Sequence, residues 1–252
     1  MLGVFNMKAL ILNSGLGSRM GVLTKEHPKC MTDVGSKGDS ILSRQLKALV
    51  KAGVKDVVMT TGYYDEVLID YCNGLNLPLN YTFVKNPIFD KTNYIYSIYC
   101  AREALCDTDV VLMHGDLIFE QGILNDLLKQ DTSVMTVSTT LPLPEKDFKA
   151  VVEGDRILKV GIEFFESAYA AQPLYKLNKK DWGLWLDNII KYCESGEEKK
   201  RKCYAENAFN EISDECIINT FDFGDLLCAE IDNPEDLAVV SAKVTEIEKT
   251  VG

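Results

Sequence analysis

Long apolar runs are missing from this 252-residue chain. None approaches the roughly 20 residues that a membrane-spanning helix needs, and no charged-then-apolar leader opens the sequence. A membrane partner is therefore not expected, and a cytoplasmic location is. Positive charge is also short. With 27 Lys and Arg against 38 Asp and Glu, the formal charge is −11, which argues against nucleic acid as a partner. A phosphate ligand is still allowed, because a local cationic pocket can sit on an acidic protein. Histidine is scarce, with His27 and His114 alone, and the eight cysteines make neither a Cys-x-x-Cys pair nor a finger-like spacing. Zinc and disulfides are set aside in favour of reduced core cysteines. Two nucleotide fingerprints are absent as well. Met20 stands where the dinucleotide motif needs its third glycine, and no Gly-Lys-Ser/Thr occurs for a mononucleotide P-loop.

What is present begins with Lys8-Ala-Leu-Ile-Leu12-Asn-Ser-Gly15-Leu-Gly17-Ser18-Arg19-Met20, continued by Pro28-Lys29-Cys-Met-Thr32. The apolar run Ala9 to Leu12 reads as a buried strand that empties into a glycine loop. Gly15 and Gly17 allow positive φ and close backbone approach, so successive N–H groups can face one anion, with Arg19 and Lys29 adding charge. At 46% hydrophobic residues, the chain has enough apolar material to bury a full core. Met1 to Asn6 precede a second methionine, Met7, and read as an extension or alternative start.

After the loop, Asp39 or Ser40 caps a helix carrying Ile41, Leu42, Leu46, Leu49 and Val50, and Gly53 ends it. Strand runs at 57–59, 81–84, 110–113 and 134–139 alternate with helical patterns at 66–72, 94–105 and 121–129. This predicts an α/β fold with a doubly wound, mostly parallel sheet, whose ligands bind at the strands' carboxyl ends. The second half differs. Residues 148–160 form two alternating runs around Gly154-Asp155, hence a hairpin. Residues 161–175 contain further strand, 181–192 are helical, and Asn233-Pro234 opens a final helix. Residues 7–252 are thus expected to be one domain. Its nucleotide-binding half is 7–140, and 141–252 form a small β-rich acceptor-side lobe on the same sheet. The charged run 194–202 reads as a solvated loop or helix end.

Two acids stand out. Asp116 follows an apolar strand and a glycine, a place suited to holding Mg²⁺ against phosphate, or equally to a plain turn aspartate. Asp232 precedes the final helix, where an acid also suits the helix dipole.

The extended pattern Gly-x-Gly-Ser-Arg-Met, then Pro28-Lys29, resembles the signature loop of nucleotidyltransferases that join a nucleoside triphosphate to a phosphorylated sugar or small alcohol. Within that family the chain is similar to bacterial phosphocholine cytidylyltransferases through Asn93-Tyr-Ile-Tyr-Ser97, Thr61-Gly62-Tyr63, Gly115-Asp116, Tyr204-Ala-Glu206-Asn207 and Glu230-Ile-Asp232. Stretches at 27–32, 91–99, 141–150 and 170–177 look closer to CTP:phosphoglutamine cytidylyltransferases of capsule phosphoramidate synthesis.

The resemblance implies a Rossmann-like, GT-A-like fold and Mg²⁺ on Asp116 and Asp232, with Lys29 and Arg19 as the catalytic cations. CTP is implied to lie against Leu12, Asn13, Ser14, Gly15, Gly17, Ser18, Gly62, Tyr63, Thr92, Asn93 and Ser97. Asn13-Ser14 departs from the Ala-Ala or Ala-Gly common in the family. Phe148, Lys149, Gln172, Tyr204 and Glu206 are implied on the acceptor side. A phosphorylated amino acid would suit Lys149 on its carboxylate and Glu206 on its ammonium, whereas choline would want an aromatic cage. A strand-edge lysine without a ligand is the plain alternative for Lys149. Chemistry would be in-line attack of the acceptor phosphate on the α-phosphorus of CTP, with no general base. The alternative of another class is a nucleotide-binding regulatory protein that keeps the fold without the chemistry. Oligomeric state is left open.

Overall fold

The computed structural model describes residues 7–251, so Met1 to Asn6 lie outside the described residues. The first half runs β1 (Met7–Leu12), β2 (Asp33–Val34), β3 (Asp39–Ser40), α1 (Ile41–Ala52), β4 (Asp56–Thr61), α2 (Asp65–Gly74), β5 (Asn80–Lys85), α3 (Tyr94–Cys100), α4 (Arg102–Leu105), β6 (Asp109–His114), β7 (Leu117–Phe119), α5 (Gln121–Leu127) and β8 (Val134–Ser138). The second half adds β9 (Lys149–Glu153), β10 (Arg156–Gly161), β11 (Ala168–Leu177), α6 (Lys179–Glu194), α7 (Glu198–Arg201), α8 (Ala205–Asn210), β12 (Asn219–Asp222), β13 (Cys228–Glu230) and α9 (Pro234–Val251). Two 3₁₀ turns, Ser18–Thr24 and Lys29–Met31, follow β1.

Local chemistry accounts for most boundaries. The Ser40 side chain accepts from the Ser43 N–H to start α1, and Gly53 ends it with φ 81°. Asn178 and Asn233 side chains accept from Asp181 N–H and Asp236 N–H at the starts of α6 and α9. Gly154, at φ 60°, makes the turn between β9 and β10. The predicted helix over 94–105 is two helices, broken at Ala101, whose N–H still bonds back to the Ser97 and Ile98 carbonyls. The charged run 194–202 contains the one-turn helix α7.

The main sheet has nine strands in the order β5-β4-β1-β6-β11-β8-β12-β10-β9. It is mixed, not mostly parallel. β1, β4, β5 and β6 pair in parallel, but β11 runs antiparallel between β6 and β8, and β9 and β10 extend the far edge. The second half is therefore part of the first half's sheet. Cores line both faces. One face carries Trp182, Trp185 and Phe209 against Leu10, Leu112 and Tyr175. The other packs α1 and α5 on Ile11, Met59 and Met113. A third, smaller cluster joins Met20, Val34 and Ile41 to Ile231, just after β13, and to Val240 and Val244 of the last helix. Among the described residues no helix is long and apolar enough to cross a membrane.

Candidate functional site

The carboxyl ends of β1 and β6, adjacent in the sheet, open into a cavity of about 460 Å³. That volume is typical of small-molecule sites. One wall is the loop after β1: Leu12, Asn13, Ser14, Gly15, Gly17, Ser18 and Arg19, with Lys29 behind it. Gly17 has φ 63° and a Cβ there would meet the Lys29 Cβ at 2.8 Å, so glycine is needed for the lysine stem to lie against the backbone. Gly17 alone of the two loop glycines uses positive φ; Gly15 does not. Gly62 and Tyr63 do not line the cavity. Gly62 supports it from below, because a Cβ would stand 2.2 Å from the Ser14 carbonyl oxygen. The Tyr63 side chain is 67% exposed and packs edge-on to Tyr64.

Thr92, Asn93 and Ser97 all line the cavity at the start of α3. Asn93 caps that helix through Tyr94 N–H. The fully buried Asn86, which the sequence did not single out, holds the others: its Nδ2 donates to Thr92 Oγ1 at 3.0 Å and Ser97 Oγ at 3.1 Å. Two polar atoms of the loop wall, Asn13 Nδ2 and Ser14 Oγ, are buried without partners. Unpartnered groups of this kind commonly mark where a ligand or water bonds.

Lys29 sits between the two acids. Its ammonium pairs with Asp116 Oδ2 and, at 2.9 Å, with Asp232 Oδ1, although the three residues come from distant parts of the chain. Burial pulls the Lys29 pKa down, but the charges and hydrogen bonds of Asp116 and Asp232 outweigh it and hold it above its ordinary value. Burial likewise pushes Asp116 up, and the Lys29 and His114 charges more than reverse it. Arg19 also reaches Asp232 Oδ1, at 2.9 Å, from a side chain 68% exposed.

The opposite wall is aromatic. Tyr94, His114, Phe148 and Tyr204 form a closed ring, with centroid separations of 4.8, 6.2, 5.2 and 5.9 Å around it. Two carboxylates accompany this ring: Glu230, half-buried and lining the cavity, and Glu206, buried behind it. Glu230 bonds His114 Nδ1 at 3.0 Å; burial and the nearby Asp116 push its pKa up to about 7. Glu206 does not line the cavity; its oxygens accept from the Tyr94 hydroxyl and, at 2.8 Å, from Tyr175. Nor do Lys149 and Gln172 reach the cavity. Lys149 is fully buried, donates to the carbonyls of Pro144 (2.6 Å) and Asp147 (3.1 Å), and lies 4.2 Å from the Phe165 ring centre. Lys146 and Asp147, from the loop that Lys149 braces, do line it.

The donor set suits a hard divalent cation. Asp116 Oδ1 is buried without a hydrogen-bond partner, Asp232 faces the same ammonium, and His114, Asp116 and Glu230 each bring a ligand atom within 4.8 Å of the others.

Residues 9–141 match the family model of the MobA-like NTP transferase domain. A CTP:phosphoglutamine cytidylyltransferase of Campylobacter jejuni subsp. jejuni serotype O:2 is 29% identical over 161 residues, 61% of this chain and 62% of that protein. A CMP-5'-(3-aminopropyl)phosphonate synthase of Streptomyces rubellomurinus is 36% identical over 121 residues, 48% of this chain but 19% of the relative. The chain thus spans less than two thirds of either relative's length. The solved inositol-1-phosphate CTP transferase from T. maritima shares the fold, with a TM-score of 0.76 over 98% of both chains at 23% identity.

Proposed function

From a chain that belongs to the MobA-like NTP transferase domain family, we propose a cytidylyltransferase that moves CMP from CTP onto a small phosphorylated acceptor and releases pyrophosphate. The observation that carries this reading is the meeting of Lys29 with Asp116 and Asp232 beside the glycine loop. Phosphoryl-group transfer of this kind needs positioning and charge neutralisation more than covalent chemistry, and that cluster offers both signs of charge at one point. Both relatives and the solved neighbour are named for CTP or a CMP product, which favours cytidine over other nucleosides.

In this reading the backbone of 13–18 faces the triphosphate, and Thr92, Asn93 and Ser97 face the nucleoside. Arg19 and Lys29 neutralise the phosphates. Asp116 and Asp232 would hold Mg²⁺, which supplies Lewis-acid stabilisation of the charge that builds on the α-phosphate. The acceptor's phosphate oxygen is already an anion, so the chain supplies orientation and no general base. Its bond to the α-phosphorus forms as the bond to the pyrophosphate oxygen breaks.

The acceptor end fits a cation better than the sequence implied. Lys149 is tied to two carbonyls, whereas the neutral rings of Tyr94, Phe148 and Tyr204 line the cavity together with the Glu230 carboxylate. A phosphorylated amino compound is therefore the acceptor class we favour. L-glutamine phosphate is the first candidate, with its ammonium toward the rings and Lys146 on the rim for its carboxylate. The closed aromatic ring favours one second reading, phosphocholine or phosphoethanolamine. The test is a pyrophosphate-release assay with each of four nucleoside triphosphates against glutamine phosphate, phosphocholine, phosphoethanolamine and sugar phosphates. Release with CTP and an amino acceptor is expected. No release with any pair would overturn the reading in favour of a binding protein.

A further inference from the structure

Lys29 stands where a cation shared by Asp116 and Asp232 would have to stand. Its ammonium touches an oxygen of each, and its side chain is only 14% exposed. Two cations cannot occupy one gap between two carboxylates, since like charges at van der Waals distance repel strongly in a buried site. The gap is also incompletely neutralised. Asp116 Oδ1 has no partner, and Asp232 borrows a second contact from the exposed Arg19.

Lysine is suited to leave. It carries a point charge on a flexible four-carbon stem, with three rotatable donors and no fixed fork. Its stem rests on Gly17, where the missing side chain leaves it unobstructed, and Gly17 belongs to the loop wall that we read as the triphosphate site.

We infer that Lys29 is an internal counter-ion. It fills the metal position between Asp116 and Asp232 and gives that position up far more readily when a triphosphate offers it another partner. The inference rests on the reading of Asp116 and Asp232 as the metal pair. No bond is made or broken; one cation replaces another. Metal alone must displace two ion pairs, so it binds weakly. Metal arriving with nucleotide releases Lys29 into new contacts, so it binds well. Linkage makes the effect mutual: bound nucleotide tightens metal to the same degree as metal tightens nucleotide. The glycine loop, in contact with the lysine stem, is the element placed to register the exchange.

The experiment measures Mn²⁺ binding to the intact nucleotide-free protein by electron paramagnetic resonance. Lys29→Gln, which keeps the stem and removes the charge, is expected to bind Mn²⁺ about tenfold more tightly or better than wild type, a change of at least about 1.4 kcal/mol. Lys29→Arg should stay near wild type, and adding Asp116→Asn to Lys29→Gln should remove the gain. Equal or weaker binding by Lys29→Gln overturns the inference. A second measurement needs no variant. Acetylation of Lys29 by an activated ester, read by mass spectrometry, should rise when Mn²⁺ saturates the wild-type protein; unchanged labelling at saturation also overturns it. Neither readout requires catalysis. Failure of the pyrophosphate assay with a positive Mn²⁺ result would condemn the functional reading alone, and the reverse pattern would condemn this inference alone.

Discussion

The two walls of the cavity are made of different materials. The loop wall is backbone: Asn13 to Ser18, held close by glycines at 17, 62 and 115. At Gly115 a Cβ would fall 1.7 Å from Asn13 Oδ1. The opposite wall is side chain: four aromatic rings contributed by α3, the end of β6, residue 148 just before β9 and the start of α8, with Glu230 beside them and the buried Glu206 behind. A backbone wall recognises what all nucleoside triphosphates share, because N–H groups read charge and not identity. A side-chain wall can be re-specified by a few substitutions, so differences between acceptors belong there. The ionic cluster of Lys29, Asp116 and Asp232 lies between them.

Four tests press on this contrast. The largest effect should come from the cluster: Lys29→Ala is expected to lower kcat by about 10²–10³, the scale of a lost oxyanion donor. Turnover near wild type would remove Lys29 from the chemistry. The loop wall comes next. Gly62→Ala pushes on the Ser14 carbonyl and should raise the KM for CTP by about tenfold or more while leaving the acceptor KM alone, as small misplacements are costly. If both constants rose together, the walls would not be separable.

On the aromatic wall, Phe148→Ala should raise the acceptor KM by about three- to thirtyfold, with the CTP KM unchanged, on the scale of a lost cation–π contact. Lys149→Met serves as its control. It leaves two carbonyls of the 144–147 loop without their donor, so the melting temperature should fall with a loss of about 1–3 kcal/mol, while the acceptor KM rises less than in Phe148→Ala and only through the loosened loop. A large rise in that KM would restore Lys149 to the site.

The smallest effect is expected in acid. Glu248, on the last helix, pairs with Arg44 and accepts from Ser36 N–H and Oγ (2.9 and 2.7 Å), tying α9 to the β2–β3 turn. Although burial raises its pKa, the Ser36 hydrogen bonds and Arg44 bring it down to about 2. Folded Glu248 therefore holds its proton less readily than unfolded Glu248. Its contribution is complete above the unfolded value near 4.5 and drains away as pH falls toward about 2. Between those limits hydrogen exchange should quicken first around 33–40 and the C-terminal helix, which back the loop wall. Glu248→Gln should flatten that dependence; the same pH profile in the variant would refute it.

The sequence showed the backbone wall far better than the aromatic one, for physical reasons. Caps such as Ser40 and Asn233, the Gly154 hairpin and the alternation of elements through residue 139 are local signals, and they survive into the structure. The insertion of β11 between β6 and β8 is set by pairing across distant segments, so the mixed sheet was not legible. Lys149 looks like a surface cation in an alternating strand. Its burial depends on the loop 144–147 folding back over it. Glu206 looks like a ligand because it is charged, but Tyr94 and Tyr175 converge on it from 112 and 31 residues away. His114 and Glu230, 116 residues apart, carried no sign of being partners; Glu230 stood out only as part of the Glu230-Ile-Asp232 resemblance.

The third core cluster has a consequence for the order in which the site is made. Met20, just past the glycine loop, is sealed by Val240 and Val244, and Asp232 enters with the same C-terminal segment. The loop wall and Lys29 are synthesised well before their closing acid, Asp232, which lies 203 residues after Lys29, and before the helix that braces them. Until residue 232 has been added, that loop is half a site, able to attract polyanions but with one acid of its cluster still to come.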